Sequence, residues 1–186
     1  FKGIDIALFS AGAERSKMWA PVSAKSECVA IDNSSQWRMD PEVPLIVPEV
    51  NAHDIMRHKG IIANPNCSTI QSVLVLNALK ELNIKRVSYT TYQAVSGSGY
   101  QGLMDLERTL NNESPSYYPQ PIAHNVIPLI DVLLENGYSK EEVKMMEETR
   151  KILNLPDLKV SATCVRVPVK NAHSVSIQCE FEKEFD

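Results

Sequence analysis

Residues 60–70 read Gly-Ile-Ile-Ala-Asn-Pro-Asn-Cys-Ser-Thr-Ile, and the cysteine in that run is the first candidate for chemistry. A thiol attacks as its thiolate, so the question is what would stabilise the charged form at Cys67. Ile61 and Ile62 read as the end of a buried strand. Asn64, Pro65 and Asn66 make a sharp turn. Beyond them Ile70, Val73, Leu74, Ala78 and Leu82 fall at spacings of three and four, which predicts a helix to Leu82. Asn66 is the expected N-cap, accepting a first-turn backbone N–H. Cys67 then sits in the first turn, where free N–H groups and the positive end of the helix dipole favour a thiolate. By residue type alone a cysteine behind a strand is more often a packing residue, and Cys28, Cys164 and Cys179 keep that reading.

A cysteine nucleophile needs a base and something to hold its substrate. Of His53, His58, His124 and His173, the last is the best placed, at the entrance to a predicted strand. Arg166 lies seven residues earlier, near the end of another predicted strand. The turn Pro168–Ala172 lets the two strands pair as a hairpin, with both side chains facing one site. An arginine there can clamp a carboxylate with two parallel bonds.

The elements that must position these groups alternate. Ile4–Phe9 reads as a strand, Ser10–Gly12 as a tight turn and Glu14–Ser26 as a helix interrupted by Pro21. Cys28–Ile31 is a short buried strand and Asp32–Arg38 a polar loop. Pro44–Val50 is an extended edge segment, because Pro44 and Pro48 exclude a central strand. A short helix runs to His58. This alternation predicts a parallel sheet covered on both faces, with ligands beyond its carboxyl edge, where Ser10–Gly12, Asn33–Arg38 and Asn64–Cys67 all lie. Arg86–Val95 is a long strand with Val87, Tyr89, Thr91 and Gln93 on one face. Ser96–Gly99 is a flexible turn, Tyr100–Leu110 a helix and Asn111–Pro128 an extended excursion. Ser139 and Glu142 form a capping box at the head of a charged helix to Leu153. The default reading of that helix is an exposed face. Lys159–Val167 and His173–Phe181 are strands.

Composition narrows the classes. The 186 residues carry a net charge of −4 without a basic stripe, which argues against nucleic acid as a partner. No apolar run approaches membrane-spanning length, and no signal peptide is visible. The four cysteines have no paired spacing suited to zinc or disulfides, so no metal is expected and a reducing cytoplasm fits best. Phe1 opens in mid-pattern and the last strand is followed closely by the end, which reads as an internal piece of a longer protein.

Several stretches together resemble one family. Val47-Pro-Glu-Val-Asn51, Asn64-Pro-Asn-Cys-Ser-Thr69, Tyr92-Gln-Ala-Val-Ser-Gly-Ser-Gly99 and Cys164-Val-Arg-Val-Pro-Val-Lys-Asn-Ala-His-Ser174 are similar, in order, to aspartate-semialdehyde dehydrogenase. The resemblance implies an α/β fold: the C-terminal part of a Rossmann-type dinucleotide-binding domain over 1–66, then an α+β catalytic domain like that of glyceraldehyde-phosphate dehydrogenase over 67–186. It implies Cys67 as the acyl-thioester nucleophile and His173 as the acid/base. Gln93, Arg166 and Glu141 would hold the amino-acid substrate, and Arg38 and Lys144 the phosphate. Ser96 and Gly97, with the loop Ser10, Ala11 and Gly12, would contact NADP. The implied reaction is reduction of 4-phospho-L-aspartate to L-aspartate 4-semialdehyde, on the route to lysine, threonine and methionine, in a homodimer or homotetramer. The family's opening strand and glycine-rich turn, and its final strands and helix, have no counterpart here, and the excursion around Asn112–Tyr118 is shorter. Two other readings stay open. An acyl-phosphate reductase such as the N-acetylglutamyl-phosphate enzyme tends to carry glycine where this chain has Asn66. A non-catalytic homologue would keep the fold alone.

Overall fold

The alternation of the first eighty residues folds as a parallel sheet. In the computed structural model, which describes residues 1–184, the order is β1 (Ile6–Phe9), α1 (Ala13–Lys25), β2 (Val29–Asp32), α2 (Pro48–Asn51), β3 (Ile61–Ala63), α3 (Cys67–Ala78), β4 (Ile84–Gln93), α4 (Gly99–Leu110), α5 (Lys140–Leu153), β5 (Lys159–Arg166) and β6 (Ser174–Phe181). Positions 185 and 186 of the expected second domain lie outside the described residues. The chain divides into two compact units. One comprises Phe1–Asn83 with Glu147–Leu158, the other Ile84–Met146 with the chain from Lys159. By contacts the division falls after Asn83, so α3 groups with the first sheet.

In the first unit β1, β2 and β3 lie side by side in sequence order, all parallel, with Leu8 opposite Ile31 and Ile31 opposite Ile62. Pro21 lies inside α1 without ending it. The expected edge segment at Pro44–Val50 shrinks to a single bridge, Leu45 beside Ala63. Pro48 then starts the helical turn α2, because its fixed φ and missing N–H suit a first helical position. The helix α3 stops at Ala78 rather than Leu82. A 3-10 turn, Lys80–Leu82, follows, and Asn83 takes the left-handed conformation at φ 56°.

The second unit corrects the expected hairpin. β5 and β6 do not pair with each other; β4 lies between them, parallel to β5 and antiparallel to β6. The link between them runs past the end of β4, where Val169 and Lys170 accept the backbone N–H groups of Val95 and Ser96 at 2.9 and 3.1 Å. A central place suits β4, whose inward row Val87, Tyr89, Thr91 and Gln93 is buried as its period-two pattern predicts. The excursion after α4 returns to the sheet, where Ile127 and Arg166 exchange two backbone hydrogen bonds of 2.9 Å. Its Ile122 joins Val95, Leu106 and Ile127 in a small core.

The head of α5 carries the expected box. Ser139 N–H donates to Glu142 Oε2 at 2.7 Å, and Glu142 N–H to Ser139 Oγ at 3.3 Å. Glu142 Oε1 also accepts the Cys164 backbone N–H of β5 at 3.0 Å. The helix is not an exposed charged face: Glu141, Glu142, Met145, Glu148, Thr149 and Ile152 are all buried. Its carboxylates are satisfied by partners, which is why charge and burial coexist there.

Candidate active site

The first unit brings its three loops to the carboxyl edge of its sheet. Asn33 N–H donates to Phe9 O and Asn64 N–H to Asp32 O, both at 2.8 Å, tying the ends of neighbouring strands. Asn64 Nδ2 reaches Asn33 Oδ1 at 2.8 Å. Asn66 caps α3 as expected, its Oδ1 accepting from Ser68 N–H at 2.9 Å and Thr69 N–H at 3.2 Å. Cys67 opens that helix, exposed and outside any disulfide. An accessible sulfur at a capped helix start is a good setting for a nucleophile.

Arg38 is buried in the same unit. Its Nε donates to Asn64 O at 2.9 Å, Nη2 to Asn33 O at 3.0 Å and Nη1 to Glu148 Oε1 at 3.0 Å. Three of the guanidinium's five N–H groups are thus engaged. Ser10, Ala11 and Gly12 are exposed between β1 and α1. Gly12 has φ 90°, a conformation other residues rarely adopt, and no described side chain caps α1. A glycine turn into an uncapped helix start offers backbone N–H groups to phosphate oxygens, so these residues fit one part of a dinucleotide.

In the second unit four side chains from separate stretches meet around Ala94, just past β4. Ala94 N–H donates to His173 Nδ1 at 3.0 Å, and Ala94 O accepts from Arg166 Nη1 at 2.6 Å. Gln93 and Glu141 are buried beside each other, Gln93 Nε2 donating to Glu141 Oε1 at 3.1 Å. Thr91 Oγ1 donates to Gln93 Oε1 at 2.9 Å, fixing which end of the amide faces Glu141. Lys144 donates to Glu141 Oε2 at 3.1 Å and to Asp131 Oδ2 at 2.9 Å. Ser96 and Gly97 lie in a 3-10 turn, Val95–Ser98. A Cβ on Gly97 would stand 2.8 Å from Arg166 Nη1 and 3.1 Å from His173 Cε1, so the missing side chain makes room for both.

Electrostatics separate these groups. Burial, and then the Arg166 charge, hold the His173 imidazole below its ordinary range. Because Nδ1 accepts from Ala94, the neutral ring carries its proton on Nε2. Burial opposes the Lys144 charge, but Glu141 and Asp131 outweigh it and raise the ammonium's pKa. The Cys164 thiol is pushed up to about 12 by burial, as suits a packing residue.

Sequence reasoning missed three contributors. Ala94 acts through its main chain, which leaves no mark in residue type. Asp131 lies in an irregular stretch. Glu148 follows Glu141 and Lys144 on α5 at offsets of seven and four, a stripe of charge along one face that could have signalled it. Among the described residues no helix is long and apolar enough to cross a membrane, and no group of three or more acidic, cysteine or histidine side chains could hold a metal.

Residues 1–58 match the family described as semialdehyde dehydrogenase, NAD binding domain, and residues 76–186 that described as semialdehyde dehydrogenase, dimerisation domain. An aspartate-semialdehyde dehydrogenase of Aquifex aeolicus is 56% identical, over 99% of this chain and 57% of its own length. Aspartate semialdehyde dehydrogenase II from Vibrio cholerae superposes with a TM-score of 0.93 at 46% identity, over 98% of this chain and 57% of that one. A structure of the same Vibrio cholerae enzyme complexed with ASA gives 0.94 at 45% identity, with the same coverage. An aspartate semialdehyde dehydrogenase from Candida albicans, with NADP, gives 0.72 at 26% identity, over 98% of this chain and 52% of that one. The chain spans little more than half the length of these relatives. The parallel first sheet and mixed second sheet are the Rossmann-type and glyceraldehyde-phosphate-dehydrogenase-like parts of this architecture.

Proposed function

We propose, since this chain belongs to the semialdehyde dehydrogenase family, that it carries the catalytic cluster of an NADP-dependent, phosphorylating aspartate-semialdehyde dehydrogenase. The observation that carries the substrate reading is the group around Ala94, where a buried carboxylate, a buried amide, a guanidinium and an imidazole converge from four stretches of chain. Such a set suits an amino acid. Arg166 takes the α-carboxylate, Glu141 the α-amino group, and Gln93 orients both.

The chemistry follows from these roles. The Cys67 thiolate attacks the acyl carbon of 4-phospho-L-aspartate, the carbon–oxygen bond to phosphate breaks, and a thioester forms. Arg38 and Lys144 hold the departing phosphate through charge-assisted bonds. When bound, NADPH supplies the hydride that reduces the thioester to a thiohemiacetal. His173, neutral at the outset, takes up the proton that the Cys67 thiol loses and passes it to the developing oxyanion. It takes the proton back as the carbon–sulfur bond breaks and L-aspartate 4-semialdehyde leaves. A positioned acid/base of this kind contributes about two to four orders of magnitude in rate. Ser10, Ala11, Gly12, Ser96 and Gly97 would hold the cofactor. The protein assembles as a homodimer or homotetramer.

The test uses the natural full-length protein and follows phosphate-dependent reduction of NADP by aspartate semialdehyde. Activity in the wild type that vanishes in Cys67→Ala supports both substrate and nucleophile. Robust activity in the variant sinks the mechanism.

A further inference from the structure

Glu148 lies on the second half of α5, only 1% exposed. Each of its carboxylate oxygens has a partner in the first unit. Oε1 accepts from Arg38 Nη1 at 3.0 Å, and Oε2 accepts the Asn66 backbone N–H at 2.6 Å. Asn66 is the residue whose side chain caps the Cys67 helix. One turn further along α5, Lys151 Nζ donates to Arg38 O and Asp40 O at 2.7 Å and to Val43 O at 2.8 Å, using all three of its donors. Arg38 is therefore gripped twice from α5, by its guanidinium and by its carbonyl. A carboxylate this deeply buried is a poor source of stability compared with an apolar side chain of the same shape. What it supplies is geometry: two charge-assisted bonds that fix two loops against one point.

We propose that Glu148 is a positioning residue for the nucleophilic turn, its one carboxylate holding the cap of the Cys67 helix and the Arg38 guanidinium in a single arrangement. The role rests on Cys67 being the nucleophile and Arg38 a phosphate ligand. It differs in sign from a simple field effect. Removing a negative charge near Cys67 would favour the thiolate and speed its alkylation. Loosening the cap would disperse the first-turn N–H groups and slow it.

The experiment compares wild type, Glu148→Gln and Glu148→Asp in the natural full-length protein. The amide of Gln presents one acceptor where two are needed, and the Asp side chain keeps the charge but is too short to reach both donors. In variants whose circular dichroism matches wild type, iodoacetamide alkylation of the Cys67 peptide, read by mass spectrometry, slows about fivefold, the worth of a lost cap. The KM for phosphate rises about tenfold, as for a lost charge-assisted bond, while that for aspartate semialdehyde stays near wild type. Alkylation that is unchanged or faster overturns the proposal, and so does an Asp variant indistinguishable from wild type. Should Glu148→Gln fail to fold, the Asp variant carries the test. A wild type without phosphate-dependent activity would remove the proposed reaction, while the alkylation rates would still decide the role of Glu148.

Discussion

Gly97 contributes by having no side chain. A methyl group there would press on Arg166 and His173 at once, and Arg166 is held by a 2.6 Å bond to Ala94 O that leaves it little room to retreat. Gly97→Ala is expected to lower kcat/KM about a hundredfold, the cost of misplacing reacting groups by around an ångström, and to lower the melting temperature through an overpacking cost of about 1 to 3 kcal/mol. Steady-state kinetics beside a thermal melt will check this. The pH dependence belongs to the same cluster. Burial and Arg166 keep His173 neutral, so the acidic limb of the rate profile falls below the ordinary imidazole value of 6.5. Arg166→Gln removes the nearby positive charge and moves that limb upward, an effect separate from its rise in KM. The sign for stability runs the same way: what the neutral ring contributes is present above its unfolded pKa and is lost as pH falls through the folded one. The capped helix start at Cys67 was legible from sequence because a capping asparagine and the apolar period behind it are local signals. Glu148 was not, because a carboxylate on a charged helix looks like solvated surface until its partners in distant loops are known.

Helix starts show how local signals become tertiary ones. The Asn66 cap and the Ser139–Glu142 box were both readable from four residues each. The sequence does not reveal that Glu142 also receives the Cys164 N–H from β5. Glu142→Ala would leave two buried N–H groups without their acceptor, and unfolding in urea should register a loss of about 2 kcal/mol or more. Asn66→Ala should cost about 1 kcal/mol, the usual worth of an N-cap, and a change below half of that would contradict the cap's importance. Strand periodicity was equally informative about faces and silent about neighbours. Alternation placed Val87, Tyr89, Thr91 and Gln93 inward correctly, but nothing in that period says which strand lies beside which. The short link Pro168–Ala172 favoured a hairpin; instead it crosses the end of β4, a choice made by the sheet as a whole.

At the scale of the whole molecule, two sheets of unlike construction each present loops at one end. The parallel one was legible from alternation of strand and helix. The mixed one needed coordinates, since its central strand is the earliest in sequence. That position has a measurable result. Amides of β4, bonded on both sides, should exchange with deuterium more slowly than those of β6, which is bonded along one side among the described residues. Equal rates along both strands would contradict the order β5-β4-β6. The same order sets a timetable for the newborn chain. Gln93 leaves the ribosome roughly seventy residues before Arg166, its partner across the ladder, and at common synthesis speeds that is about 4 to 15 s. Throughout that interval a ten-residue strand rich in β-branched and aromatic side chains waits with both flanks open. Its safe delivery depends on what shelters it while the rest is being made.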